Sequence, residues 1–418
     1  MTASVAGQYA VSRLQTAFRG DETQKEVRAD SHRRIGERIA STLGELKGAA
    51  MKLGQMASLG GDILPAEIAV ALKKLQKEAP PMPFPVIAQQ IETEFGAPPQ
   101  RLFTRFDATP FASASIGQVH RAQTDDGREV VVKVQYPGVD SSVDSDLSHL
   151  KFALRASGLL RFNKQVMDRL FEEVRLRLHE ELDYCNEAEN VRLFREHHRH
   201  QPFVVVPDVV GERSSKRVLT LTYEEGENIN HLDQGRFTQA VRDLIGENLF
   251  RLTLSQLFDL KALQSDPNPA NFAFRQDGTI VLYDFGCVKR IEPTILDAWR
   301  DTIRGGLDED YEAVERGLIA LGARNVAGPA VEADYYAVWR EILLRPFLGD
   351  DPFDYGASKI HEEVARQVPG ILRRLSSFQP PVEVVFIDRV LAGHYWNLRT
   401  IRSRGRFMDL VRPYLYSG

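Results

Sequence analysis

The stretch QSDPNPANFAFRQDGTIVLYDFG, residues 264–286, combines a loop with a hairpin. Its first nine residues carry two prolines, two asparagines and one acid, a composition that ends helices and makes loops. The run that follows turns at Asp277-Gly278 between two apolar segments, as a β-hairpin does, and ends in an acid, Asp284. Asn271 lies five residues after Asp266, and Asp284 eighteen after it. Phosphoryl transfer asks for such a set: a carboxylate to orient the acceptor and a few oxygen ligands for a hard Mg²⁺ ion. On that reading Asp266 orients or deprotonates the acceptor while Asn271 and Asp284 hold the metal. The alternative is a pair of ordinary turn dipeptides, Asp266-Pro267 and Asn268-Pro269, followed by an accidental Asp-Phe-Gly. The stretch by itself leaves both open.

Upstream, Lys133 interrupts the alternating strand EVVVKVQ (129–135). A lysine there either snorkels to solvent from an edge strand or reaches phosphates. An acid-rich helix follows in HEELDYCNEAEN (179–190), and Glu187 is placed to pair with the lysine. Asp183 and Glu187, four apart, are expected on one helix face, whereas Glu181 points elsewhere; a solvated acidic face is the plainer alternative. Before the lysine strand, PFASASIGQVHRA (110–122) offers Ala112, Ser113, Ala114, Ser115 and the single glycine Gly117 where a phosphate-covering turn would lie. Small residues let backbone N–H groups approach an anion, though less freely than a glycine loop. Lys52 to Gln55, KLGQ, sit on or at the end of a helix well before any strand.

Around these motifs the chain reads as a helix over 31–59, a proline-rich turn at 78–85, a short helix over 86–95, and antiparallel strands from 106 to 135 turning at Asp125-Asp126-Gly127. Helices are expected over 139–160 and 163–197, the latter with Val166, Leu170, Val174, Leu178 and Leu182 on one stripe. Two β-rich stretches, FVVVPDVV (203–210) and KRVLTLTY (216–223), precede a mainly helical remainder. The expected fold class is α+β: a β-containing half and a helical half, two lobes with a cleft, in a chain of 418 residues that is 43% hydrophobic and 27% charged. A net charge of −5 gives no support for nucleic-acid binding. No apolar run is long enough to span a membrane, no secretory signal is visible at the N-terminus, and two cysteines, Cys185 and Cys287, fit a reducing compartment.

Taken in order, MKLGQ (51–55), PFASASIGQVHRA, VVKVQYPGV (131–139), ELDYxxEAxN (181–190), DPNPANF (266–272) and YDFG (283–286) resemble the UbiB (AarF-type) family of atypical kinase-like proteins associated with ubiquinone, or coenzyme Q, biosynthesis. The resemblance implies a protein-kinase-like fold in three parts: an N-terminal helical extension (1–100), a small lobe with inserted helices (101–226) and a large helical lobe (227–418). It implies that Lys52 and Gln55 belong to a lid that occludes a protein-substrate site and contacts Glu181 and Asp183. Ala112, Ala114 and Ser115 fall in the alanine-rich loop that replaces a glycine-rich one, and Tyr223, Glu224 and Glu225 fall where a hinge receives adenine through backbone groups. Lys133 and Glu187 match the strand lysine and its glutamate, Asp266 the catalytic aspartate, Asn271 and Asp284 the metal pair. The implied ligands are ATP or ADP with Mg²⁺ or Mn²⁺. The implied partners are membrane lipids, isoprenoid quinone precursors and ubiquinone-biosynthesis proteins, at a cytoplasmic location peripheral to the inner membrane. Where many bacterial relatives carry HxDPHPGN, this chain has Gln264, Asn268 and Ala270, which leaves the metal and base positions intact and is closer to the mitochondrial coenzyme-Q-type members.

Two other functions remain to be weighed. One is a nucleotide-sensing pseudokinase scaffold, which the retention of every metal and base position disfavours. The other is a small-molecule phosphotransferase resembling choline or aminoglycoside kinases, which Lys52-to-Gln55 and the alanine-rich loop disfavour. His197, His198 and His200, in FREHHRHQPF (194–203), lack a ligand spacing and read as a solvated loop, and Cys287 as a packed thiol. RTIRSRGRFMDLVRPYL (399–415) reads as a terminal helix docked on the large lobe, with a membrane-surface helix as the alternative.

Overall fold

The computed structural model describes residues 81–113, 116–141, 143–145, 147–148, 151, 168, 171–172, 175, 179–232, 235–379 and 384–416. Lys52, Gln55, Ala114 and Ser115, with the helix expected over 31–59, lie outside the described residues. The chain divides into two compact units, one running to Glu189 and resuming over Val209–Tyr223, the other comprising Asn190–Asp208 and the chain from Glu224 onward.

The first unit opens with α1 (Phe84–Phe95), where Pro85 presets the first turn and Gly96, at φ 69°, ends it in the left-handed conformation. Its sheet is antiparallel and made of β1 (Arg105–Phe106), β2 (Ala112–Ser113), β3 (Gly117–Gln123), β4 (Glu129–Gln135) and, later in the chain, β6 (Val218–Thr222); β5 (Val204–Val205) belongs to the second unit. The order is β1-β3-β4-β6 with β2 pairing β3. Alternation along β4 sends Val130, Val132 and Val134 into a core shared with Ile87, Ile91, Ala122 and Val218, and leaves Lys133 on the opposite face. Because β4 is a central strand, the edge-strand reading of Lys133 is excluded. Gly117 serves the sheet rather than a phosphate: a Cβ there would lie 2.2 Å from the Val134 carbonyl oxygen.

The helix expected over 163–197 is broken before its last turns. Leu182 and Asp183 are not helical, and α2 starts at Tyr184 and runs to His198. The Asp183 carboxylate accepts from the amides of Cys185 at 3.0 Å and Asn186 at 3.4 Å, so it caps α2 instead of sharing a face with Glu187.

In the second unit, α3 (Gln239–Leu254), capped by Thr238, runs into a π-turn over Ser255–Leu260 that ends at Lys261 with φ 55°. Four short strands follow: β7 (Ala262–Gln264), β8 (Phe272–Phe274), β9 (Ile280–Leu282) and β10 (Val288–Arg290). β8 and β9 form the expected hairpin, with Gly278 at φ 86° in its turn, and β5 lies parallel on β9. β10 pairs with β7, which brings the residues after Asp284 back beside those before Asp266. The remaining helices are α4 (Pro293–Leu307), α5 (Tyr311–Ala320), α6 (Ala333–Leu343), α7 (Ile360–Arg373), α8 (Val384–Ile401) and α9 (Phe407–Tyr416). Val411 and Leu415 of α9 pack with Leu254, Leu257, Leu263, Ile387 and Val390 in one core, so the apolar face of the terminal helix is covered by protein and not left for a membrane. No helix among the described residues is long and apolar enough to cross a membrane.

Candidate active site

The loop between β7 and β8 is short and stiff. Pro267 and Pro269 restrict it, Asn268 accepts from the Ala270 amide at 3.1 Å, and Pro269–Asn271 form one 3₁₀ turn. The turn swings Asn271 back onto Asp266, whose Oδ2 accepts from the Asn271 Nδ2 at 3.0 Å. Asp284 follows β9, and its Oδ1 accepts from the Gly286 amide at 3.0 Å. Gln264, 3% exposed, ties the two acids together: its Nε2 donates to the main-chain carbonyls of Asp266 and Asp284, each at 3.1 Å.

A chain of hydrogen bonds supports Gln264 from behind. Its main-chain N–H donates to the Gln256 Oε1 at 3.2 Å, Gln256 in the π-turn meets the His198 Nε2 at 3.5 Å, and the His198 Nδ1 meets the Gln201 Oε1 at 2.9 Å. His197 bonds the Ser255 hydroxyl at 2.8 Å. The expectation of a solvated histidine loop is therefore corrected. His197 and His198 end α2, and burial pushes the His198 imidazole down to about 4, leaving it neutral and able to accept. Only His200 is exposed. Cys287 is buried, its Sγ 3.0 Å from the Ser265 hydroxyl, as expected of a packed thiol.

Helix α8 docks on the same loop. The Asn397 Nδ2 donates to the Pro267 carbonyl at 3.1 Å, Gly393 leaves room for the Pro267 ring, and the Arg389 Nη2 donates to the Asp266 Oδ1 at 3.2 Å. These positions, four apart, form one stripe of the helix. Reading the sequence did not find them: no motif marks a helix 123 residues beyond the acid it touches.

In the first unit Lys133 and Glu187 form a close pair, the ammonium 2.8 and 2.9 Å from the two carboxylate oxygens. The lysine side chain is 16% exposed and the glutamate 3%, and the ammonium lies 5.0 Å from the centre of the Tyr184 ring. Glu181 closes the turn before the Asp183 cap, in a half-buried position. Ala112 is exposed on β2, opposite Val119. Tyr223 continues the edge of β6 by donating its amide to the Glu129 carbonyl at 2.9 Å, and the Arg121 guanidinium stacks 3.6 Å over its ring. In the second unit, the Glu224 carboxylate pairs with Arg275 at 2.9 Å. The Glu224 carbonyl accepts from the Tyr283 hydroxyl at 2.8 Å, and that of Glu225 from the Arg275 Nε at 2.9 Å.

The donor set suits a hard divalent ion. The Asn271 amide nitrogen is held by Asp266, which turns the amide oxygen away from that acid, and the Gly286 amide fixes the Asp284 rotamer. One amide oxygen and one carboxylate, with nucleotide phosphates, would make the partial oxygen shell that Mg²⁺ takes. No cluster of three or more His, Cys, Asp or Glu residues that could hold a metal by itself occurs among the described residues.

Comparison with known proteins identifies the family. A family model described as the ABC1 atypical kinase-like domain matches residues 74–318. The mitochondrial atypical kinase coq-8 of Caenorhabditis elegans is 32% identical over 392 residues, covering 91% of this chain and 51% of the relative. The mitochondrial atypical kinase COQ8 of Saccharomyces cerevisiae is 31% identical over 361 residues, 85% of this chain and 71% of the relative. The chain thus spans about half the length of the worm protein. Among solved structures, Rv3197 of Mycobacterium tuberculosis in complex with erythromycin matches with a TM-score of 0.64 and 29% identity, over 94% of this chain and 98% of that one.

Proposed function

Because the chain belongs to the ABC1 atypical kinase-like family, also called UbiB, we propose that it binds a magnesium nucleotide, cleaves its terminal phosphoryl group, and supports coenzyme Q biosynthesis. The observation that carries the reading is the fixed pairing of Asp266 with Asn271 at 3.0 Å, next to an Asp284 oriented by its own turn. Mg²⁺ bound by Asn271 and Asp284 would neutralise phosphate charge. Lys133, its ammonium steered by Glu187, takes a phosphate oxygen. Asp266 orients water or another acceptor and receives its proton. Tyr223, Glu224 and Glu225 serve the base, and Lys52 and Gln55 act with Glu181 and Asp183 as the lid. ATP, ADP and Mn²⁺ in place of Mg²⁺ are all compatible with oxygen donors of this kind.

The test is Mg-dependent ATP hydrolysis by the wild type and Asp284→Asn, with and without anionic liposomes. Wild-type turnover well above the variant's is expected. Equal rates with ADP still bound would leave the nucleotide-sensing scaffold, and a protein that binds no nucleotide would end both readings.

A further inference from the structure

We propose that Arg389, on α8, is a catalytic cation that holds Asp266 with one arm of its guanidinium and receives an oxygen of the transferred phosphoryl group with the other. The proposal rests on the nucleotide reading above. Between Asp266 and Asn271 the loop contains Pro267, Asn268, Pro269 and Ala270, none of them charged. Phosphoryl transfer spreads negative charge over three equatorial oxygens, and an arginine supplied by the same chain is one established means of stabilising it.

The geometry at Asp266 leaves a donor over. A guanidinium presents Nε and Nη2 along one edge as a fork that matches both oxygens of a carboxylate. Here the Nη2 reaches the Asp266 Oδ1 at 3.2 Å, but Oδ2 is already engaged by Asn271 at 3.0 Å. The Arg389 Nε is buried and has no hydrogen-bond partner among the described residues. A buried donor with no acceptor is destabilising, and here it sits on the guanidinium edge that faces the acid expected to orient the acceptor. An oxyanion arriving beside Asp266 completes the fork.

The arm is also rigidly mounted. Four residues on from Arg389, Gly393 packs so closely on the loop that a Cβ would lie 2.1 Å from the Pro267 Cγ. Four further on, the Asn397 Nδ2 bonds the Pro267 carbonyl at 3.1 Å. A group on a helix docked this tightly is pre-organised, and electrostatic stabilisation works best from such groups. In the step, the bond from phosphorus to the β–γ bridging oxygen breaks and ADP leaves with the electron pair. The acceptor oxygen bonds phosphorus, its proton passes to Asp266, and the Arg389 Nε–H donates to a non-bridging oxygen of the group in transit. With water as acceptor the products are ADP and inorganic phosphate.

The experiment uses the full chain as wild type, Arg389→Lys and Arg389→Ala. It measures ADP affinity, affinity for ADP with aluminium fluoride, the ATPase kcat and KM, and melting temperature. Both variants should bind ADP within about twofold of wild type, because the arm touches only the transferred group. Their kcat, and their affinity for the aluminium fluoride complex, should fall ~100-fold or more. Free guanidinium ion should restore part of the kcat of Arg389→Ala. Unchanged kcat and unchanged aluminium fluoride affinity would overturn the proposal. So would equal losses of ADP and aluminium fluoride affinity accompanied by a lowered melting temperature and no rescue, which would make Arg389 a structural strut. A wild type that binds no ADP would overturn the nucleotide reading and this role with it, a result distinct from an active wild type with an unaffected Arg389→Ala.

Discussion

An ammonium with a 16% exposed side chain faces a carboxylate with a 3% exposed one, and at that burial each charge depends on the other. Lys133→Met takes the ammonium away from the buried Glu187 carboxylate and should cost ~3–5 kcal/mol of unfolding free energy, whereas Lys133→Met with Glu187→Met should recover most of that loss without recovering activity. Chemical denaturation of the two proteins checks it; a double variant no more stable than the single one would mean that the pair is not what holds these side chains. The identity of this pair was readable in the sequence through its motifs, but its burial was not, since an alternating strand can be central or peripheral and only the pairing of β4 with both β3 and β6 decides. Arg389 was not readable at all. Its partner is set by how a helix docks, and one arginine among many in the C-terminal third carries no local signal.

Helix α8 acts on the site through shape as much as charge. Gly393→Val would drive a Cβ and two methyl groups into Pro267, where even the Cβ falls at 2.1 Å, so helix and loop must separate. Overpacking of this kind costs ~1–3 kcal/mol and should lower ATP turnover more than ADP affinity, because the loop carries Asp266 and not the base contacts. Steady-state kinetics beside ADP titration checks it, and equal losses in both would contradict it. At this scale the sequence was a fair guide where chemistry is local. The Asp277-Gly278 hairpin formed where its turn residues put it, and the helix expected over 86–95 starts only two residues early. It misled where a short polar side chain competes for backbone amides, as Asp183 does in cutting one expected helix at the start of α2. The π-turn at Ser255–Leu260 has no compositional mark, because its extra residue per turn is imposed by what it packs against.

For the whole molecule, the buried histidines set an acid limit. Burial lowers His198 and His394 from the ordinary 6.5 to about 4, so both stay neutral in the folded chain while the unfolded chain takes up protons below 6.5. They cost no stability above pH 6.5, and as pH falls toward 4 the loss grows to roughly 3 kcal/mol each. Melting temperature should therefore drop over that window, and less steeply in His394→Leu. A slope unchanged by that substitution would mean another group is responsible. Both histidines belong to the unit that carries Asp266, so acid should weaken the supports of the loop before the rest of the fold.

Gln264 has a further meaning in this light. One nitrogen carries both hydrogen bonds to the carbonyls of Asp266 and Asp284, so a single NH₂ group ties together two acids eighteen residues apart. Exchanging that nitrogen for oxygen is among the smallest edits a protein can undergo: volume, shape and rotamers are all preserved. Yet it would turn both ties into oxygen facing oxygen, and the two acids would lose their common anchor while nothing in the size of the core betrayed the change.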